Sequence, residues 1–427
     1  MSVFFGLLVF AGWLGSDPVA GLADWLKQPV EQRTKLAEQP FAGIALTKEQ
    51  AAKARQLLAA DDLRQVRRRQ APEWINREIS LGKLNMKFDV KVFGDKPATG
   101  RSLFISMHGG GNTATAVNDQ QWENQKWLYQ PAEGVYIAPR APNDAWDMWF
   151  QPHIDTFFIQ LIADAVAFKE VDVNRVYIMG YSAGGDGVFR LAPRLADRWA
   201  AAAMMAGHPG DVRADNLRNL PFTLHMGEKD SAYDRNKHAV EWKKLLADLH
   251  EQDKEGYVHE VVIQPGMSHW MQRKDAVAVP WMAKFTRNTA PRKVVWVQPT
   301  QQQFYWLAEA VVDASTKEGK ATARMVASIE KQTIQITSEH VNQVTVRLRD
   351  DLVDLDQPIT VMMNGKVVFE GKVERNIKTI SKTLSERHDA GLMYDAEIII
   401  KEPGARSKKP VSYEIHELLR AILAISF

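Results

Sequence analysis

The chain predicts an α/β architecture: a mostly parallel sheet flanked by helices, with a helical N-terminal extension and a β-rich, sandwich-like C-terminal domain. Three observations carry this reading. Short apolar strands alternate with helix-length segments through residues 75–290. Strand-rich texture with a hairpin signal replaces that alternation over residues 291–403. A polar stretch rich in helix formers fills residues 24–74. At 427 residues the chain is too long for one ordinary core and suits two domains.

Taken in order, the apolar run Phe4 to Leu14 has the length of an export-signal core and is too short to span a bilayer as a helix. No Lys or Arg precedes it, and Gly21-Leu22-Ala23 is a poor cleavage site. Residues 1–23 therefore read equally as an export signal, giving a periplasmic or secreted protein, or as an apolar segment packed on the body of a cytoplasmic one. Lys48 to Ala60 is helical, with Thr47 as N-cap. Phe88 to Phe93 alternates apolar and polar residues as a half-exposed strand does. Ser102 to Met107, Val135 to Pro139, Arg175 to Met179, Ala200 to Met205, Phe222 to Met226 and Val258 to Ile263 follow as strands. Asp155 to Lys169 and Ala232 to Gln252 are helices between them. Right-handed crossovers then line the strand C-termini along one edge, where ligands bind.

Beyond Pro291, strands are expected at Lys293 to Gln298, Gln302 to Leu307, Thr322 to Ser328, Gln332 to Ser338, Gln343 to Leu348 and Ala396 to Lys401. Ile359 to Met363 and Lys366 to Glu370 flank Asn364-Gly365, a hairpin turn signal, and Arg375 to Arg387 is helical. The tail, residues 404–427, places Ile415, Leu418, Leu419, Ile422 and Leu423 on one face of a helix that packs on its own domain.

Composition narrows the function classes. A formal net charge of +2 gives no reason for a nucleic-acid partner, and Arg67-Arg68-Arg69 reads as a solvated helix face. No segment supports stable membrane insertion, and nothing in the chain bears on oligomeric state. The absence of cysteine excludes disulfides, thiol catalysis and cysteine metal sites. H-E-x-x-H and clustered carboxylate spacings are missing, so neither metal nor cofactor is expected.

The chemistry concentrates in four short motifs. In Gly180-Tyr181-Ser182-Ala183-Gly184-Gly185 a strand of β-formers ends in G-x-S-x-G and enters an apolar helix. Such a turn holds a nucleophilic serine on a tight elbow, and small flanking residues relieve its crowding. His108-Gly109-Gly110-Gly111 follows another strand. Acyl transfer develops an oxyanion, and the N–H groups of Gly110 or Gly111 with that of Ala183 are the expected donors. Gly227-Glu-Lys-Asp230 ends a third strand and makes Asp230 the favoured acid over Asp234 and Glu228. Gly266-Met-Ser-His269-Trp270 follows a fourth, so His269 is the favoured base over His208, His225 and His153.

With these motifs, residues 75–290 resemble the α/β-hydrolase family, in particular its polyhydroxybutyrate-depolymerase-like and feruloyl-esterase-like carboxylesterases. The resemblance implies a Ser182–His269–Asp230 triad and a small-molecule or oligomeric ester as substrate. Secreted depolymerases of that branch often carry disulfides, and this chain has no cysteine, which counts against polymer degradation. The C-terminal part resembles accessory domains appended to bacterial hydrolases. Trp122, Trp146, Trp149, His153, Tyr181 and Trp270 lie near these motifs and are expected to line the substrate pocket. A serine peptidase on the same scaffold is the rival function; without a propeller-like repeat to gate peptides, esters are favoured. A non-catalytic binding protein is the third reading, and the complete set of catalytic parts argues against it.

Overall fold

A computed structural model of the chain describes residues 17–317, 319 and 321–403. The Phe4 to Leu14 run and the 404–427 tail lie outside the described residues. Helix α1 (Pro18–Lys27) starts on Pro18, with Asp17 accepting the Val19 N–H at 3.1 Å. Leu22, at the centre of the Gly21-Leu22-Ala23 stretch, is fully buried in this helix. Helix α2 (Lys48–Asn76) opens on a capping box: Thr47 Oγ1 accepts the Gln50 N–H and Gln50 Oε1 accepts the Thr47 N–H. It runs well past Ala60, and Arg67, Arg68 and Arg69 are exposed on it.

The central sheet has eight strands in the order β1-β2-β4-β3-β5-β6-β7-β8. These are β1 (Glu78–Leu81), β2 (Leu84–Phe93), β3 (Arg101–Met107), β4 (Gly134–Pro139), β5 (Val171–Tyr181), β6 (Ala201–Met205), β7 (Phe222–Gly227) and β8 (His259–Gln264). Pairings β1·β2 and β2·β4 are antiparallel and all later pairings are parallel. Strands β4, β6 and β7 are buried along their whole length, as apolar strands covered on both faces must be. The crossovers carry α3 (Thr115–Leu128), α4 (Pro152–Lys169), α5 (Ala183–Arg194), α6 (Arg235–Gln252) and, after β8, α7 (Ala278–Met282). Helix α6 starts three residues later than the sequence predicts, because Tyr233 and Asp234 take left-handed backbone at φ 56° and 55°. This strand order, with its antiparallel edge, is the α/β-hydrolase fold.

Two further sheets make up the C-terminal region. One holds β10 (Gln303–Phe304), β11 (Leu307–Val312), β14 (Val341–Leu348) and β17 (Ala396–Lys401); the other holds β9 (Lys293–Val297), β12 (Arg324–Glu330), β13 (Thr333–Glu339), β15 (Ile359–Met363) and β16 (Lys366–Gly371). Their pairings are antiparallel except β13·β15. Asn364 and Gly365 turn the β15–β16 hairpin with φ of 49° and 78°, as a type I′ turn requires. Gln302 to Leu307 is not one strand as expected. Tyr305 is left-handed at φ 53°, and the chain folds back there to pair β10 with β11. Helices α8 (Ala314–Lys317) and α9 (Ile377–Ser385) complete the region.

The apolar core runs without a break from the central sheet (Leu103, Ile178, Leu224) into the C-terminal sheets (Trp296, Val346, Ile400). The N-terminal extension clasps both parts. Leu22, Phe41, Leu46 and Leu58 pack on Ile377, Ile380 and Leu384 of α9, while Val66 meets Ala163 and Ala167 of α4. Among the described residues no helix is long and apolar enough to cross a membrane.

Candidate active site

Ser182 stands between β5 and α5 with φ 57° and ψ −120°, a conformation that L-residues rarely adopt. The glycines on either side are required by space. A Cβ on Gly180 would lie 2.3 Å from Gly184 O, and one on Gly184 would lie 2.2 Å from Met107 O. These contacts seat the elbow against the end of β3. Ser182 is anchored by donating its N–H to Met205 O at 2.9 Å and accepting the Asp186 N–H on its carbonyl at 3.0 Å.

Asp230 and His269 reach the serine from the ends of β7 and β8. A Cβ on Gly227 would lie 2.1 Å from Ser268 O, so this glycine permits the two loops to touch. The Lys229 N–H donates to Met267 O at 2.8 Å, and the Asp230 N–H to Gly227 O at 3.1 Å. The His269 Nδ1–H then donates to Asp230 Oδ2 at 2.7 Å, and the Ser182 Oγ–H donates to His269 Nε2 at 2.9 Å. The carboxylate selects the Nδ1–H tautomer, which leaves Nε2 as the acceptor facing the serine. Asp230 is only 3% exposed, and Arg235 Nη1 lies 3.8 Å from its second oxygen. Tyr181 fastens the histidine loop: its hydroxyl donates to His269 O at 2.6 Å and accepts the Met271 N–H at 2.9 Å.

The rival residues are engaged elsewhere. Glu228 is exposed and accepts the Gly266 N–H at 2.7 Å. Asp234 pairs with Lys237 at 2.7 Å. His225 is fully buried against Thr223, and burial pushes its pKa down to about 4, so it is a neutral core residue. His208 packs edge-on to His238.

On the oxyanion side the structure changes one expectation. The Gly111 N–H is taken by Asn118 Oδ1 at 2.8 Å, so it is not free for a ligand. Among the described residues no protein acceptor takes the N–H of Gly110 or of Ala183, the first residue of α5. Gly110 has φ +109°, and a Cβ there would fall 2.2 Å from Asn118 Oδ1. A Cβ on Gly109 would lie 3.2 Å from Ser182 Cβ, so this loop adjoins Ser182. His108 is buried, and burial pushes its pKa down to about 3. Its neutral ring donates from Nδ1 to Gly109 O at 2.6 Å and accepts the Ala141 N–H on Nε2 at 3.1 Å. Arg140, 8% exposed, binds Asp119 Oδ1 at 2.8 Å and also Asp144, tying the 140–150 loop to α3.

The aromatic residues divide into two groups. Trp149 does not face substrate: it is fully buried and donates its Nε1–H to His108 O at 2.8 Å, bracing the glycine loop from beneath. Trp122 is half-buried and donates to Ala138 O at 2.8 Å, and Tyr181 is committed to the histidine loop. His153 is half-buried on the first turn of α4, edge-on to Phe157. Trp146 and Trp270 are exposed; Trp146 adjoins Gly111 and Trp270 leans on Tyr181. Asn118, Arg140 and Arg235 were not expected from sequence. Each acts through a contact made in another turn or loop, which no local pattern in the sequence marks. Among the described residues no group of three or more His, Asp or Glu side chains is arranged to hold a metal ion.

The family model described as "Dienelactone hydrolase family" matches residues 138–301, from the end of β4 to just past β9. Solved structures of similar fold include a thermostable esterase, at 17% identity over 49% of this chain and 62% of that one, with TM-score 0.40. A phospholipase/carboxylesterase from Dyadobacter fermentans matches at 18% identity over 47% of this chain and 97% of its own, with TM-score 0.33. A ferulic acid esterase matches at 14% identity over 48% of this chain and 95% of its own, with TM-score 0.35. The chain thus spans under two thirds of the length of the thermostable esterase. No curated protein sequence matches it.

Proposed function

We propose that this protein hydrolyses carboxylic esters through a covalent acyl-enzyme formed on Ser182. The observation that carries the proposal is the unbroken hydrogen-bond chain from Ser182 Oγ through His269 to Asp230. His269 Nε2 removes the hydroxyl proton as Oγ attacks the ester carbonyl, and the carbonyl π electrons move onto oxygen. The Gly110 and Ala183 N–H groups, with the N-terminal end of α5, receive that negative charge. Collapse expels the alcohol, which takes the proton from Nε2. Water, deprotonated by the same nitrogen, then attacks the acyl carbonyl and releases the carboxylic acid and free Ser182. Asp230 holds the imidazole in the required tautomer and stabilises its cation. The family match over residues 138–301 supports ester chemistry. Turnover of p-nitrophenyl acetate tests the proposal: Ser182→Ala is expected to lose on the order of a million-fold in kcat. A variant that keeps near-wild-type turnover would refute it.

A further inference from the structure

A cavity of about 600 Å³ lies well away from the catalytic rim, between β3, β5 and the 273–284 segment. Its apolar lining includes the buried Phe104 and Val279 and the exposed Pro280. Three cations border it: Arg175, Arg273 and Lys284. Glu133 is the one acid in the lining, and it is already committed, with Arg175 at 3.5 Å and the Ser102 N–H donating to it at 2.9 Å. Among the described residues the side chains of Arg273 and Lys284 make no ion pair or hydrogen bond. Two exposed positive charges therefore border the cavity, Lys284 without an acidic partner in the lining and Arg273 with only the buried Asp275 carboxyl near it, and the cavity has a size that suits a small organic molecule. Arg175, one of the lining residues, precedes Ser182 by seven residues along β5, which puts its backbone roughly 20 Å from Ser182.

We infer that this cavity is a binding site for an organic carboxylate, an apolar body with one anionic head, separate from the Ser182 centre. The body lies on Phe104, Val279 and Pro280, and the head meets Arg273 and Lys284. A neutral ligand leaves those two charges unmatched, and a cation is repelled by them. The occupant also rests on the chain segment that carries His269. Arg273 follows that histidine by four residues, and Tyr129, another lining residue, binds Asp275 of the same segment. The site stands on its own geometry, so it holds even if Ser182 proves idle.

The test is displacement of 1-anilinonaphthalene-8-sulfonate fluorescence by decanoate on the full-length protein, with decanamide as the neutral control. Arg273→Glu and Lys284→Glu are each expected to weaken decanoate at least about tenfold, and decanamide is expected to compete about tenfold less well than decanoate. Ala276→Phe, which fills the chamber without touching a charge, is expected to abolish displacement, and Ser182→Ala to leave it unchanged. Thermal melts and ester turnover matching wild type would show that the charge variants are folded. Decanoate affinity unchanged by both charge reversals in folded protein, or no displacement up to about 1 mM, would overturn the inference.

Discussion

Two regions of this molecule pair a buried aspartate with a basic side chain and use the pair in opposite ways. At the proposed catalytic rim, buried Asp230 binds His269, whose side chain is 42% exposed and whose second nitrogen faces Ser182. At the seam between the central sheet and the C-terminal sheets, Asp389 takes a two-pronged contact from Arg287 at 2.7 and 2.9 Å and a third from Arg198 at 2.8 Å. Nearby, Arg387 donates to Asp197 at 2.6 Å, and Asp197 also accepts the Tyr305 N–H at 3.0 Å. All of these seam groups are buried. Burial pushes the Asp389 carboxyl up, but Arg287 and Arg198 outweigh it and hold the group well below the usual carboxylate range. A guanidinium keeps its charge at any ordinary pH, so the seam can only hold. An imidazole with a free nitrogen can pass a proton, so the rim can work. The partner and its access to solvent, more than the aspartate, decide the role.

The contrast is broken most severely at the rim. Ser182→Ala should abolish turnover while the melting temperature stays within about 2 °C of wild type, because a hydroxyl removed from a solvent-facing turn leaves no buried charge unpaired. At the seam the reverse is expected. Arg287→Met removes the two-pronged partner of Asp389 and should cost about 3–5 kcal/mol of stability in denaturant unfolding, with turnover per folded molecule retained.

A third aspartate sharpens the comparison because it has no cation at all. Asp164 on α4 is fully buried, neither of its oxygens has a partner among the described residues, and burial, then the nearby Glu73, pushes its pKa up to about 8. In the unfolded chain it ionises near the ordinary value of 3.8, while the fold retains the proton. Its folded pKa is raised, so the stability it permits is fully present below about pH 4 and falls as pH rises toward 8. Asp164→Asn should flatten that slope and raise stability at pH 7 by a few kcal/mol, on the order of one to three. A melting temperature with the same pH dependence as wild type would contradict this. The smallest effect is expected at Tyr181→Phe, which frees the histidine loop from both hydroxyl contacts. It should lower kcat by about tenfold with little change in KM, because both hydroxyl contacts go to the backbone of the loop that carries the proposed base.

The same contrast explains what could be read from the chain. Ser182, Asp230 and His269, which the structure brings within hydrogen-bond reach, are the residues singled out from sequence. Each sits just past a strand beside a glycine the backbone needs: close approach forces Gly180, Gly184 and Gly227 beside Ser182 and Asp230, and a left-handed φ of 69° favours Gly266 before His269. The parallel strands were legible for a similar reason, as short apolar runs between helix-length segments. Strand β1 and helix α3 left no comparable pattern and were not anticipated. Gly111 looked equivalent to Gly110 until Asn118, seven residues on, was seen to take its N–H. Trp149 looked like a pocket residue because it follows a strand end, but the loop turns it inward beneath His108. The seam was invisible, since Arg198 and Asp389 are 191 residues apart and nothing local marks either as buried.

The central claim, that Ser182 is a nucleophile activated by His269, is tested most directly by covalent labelling. Wild-type protein, Ser182→Ala and His269→Ala are each treated with a fluorophosphonate, followed by intact mass and peptide mapping. The account predicts one adduct per chain on Ser182 in the wild type, none in Ser182→Ala, and labelling slowed at least about a hundredfold in His269→Ala. An unlabelled wild type, an adduct on another residue, or equal labelling rates with and without the imidazole would contradict it.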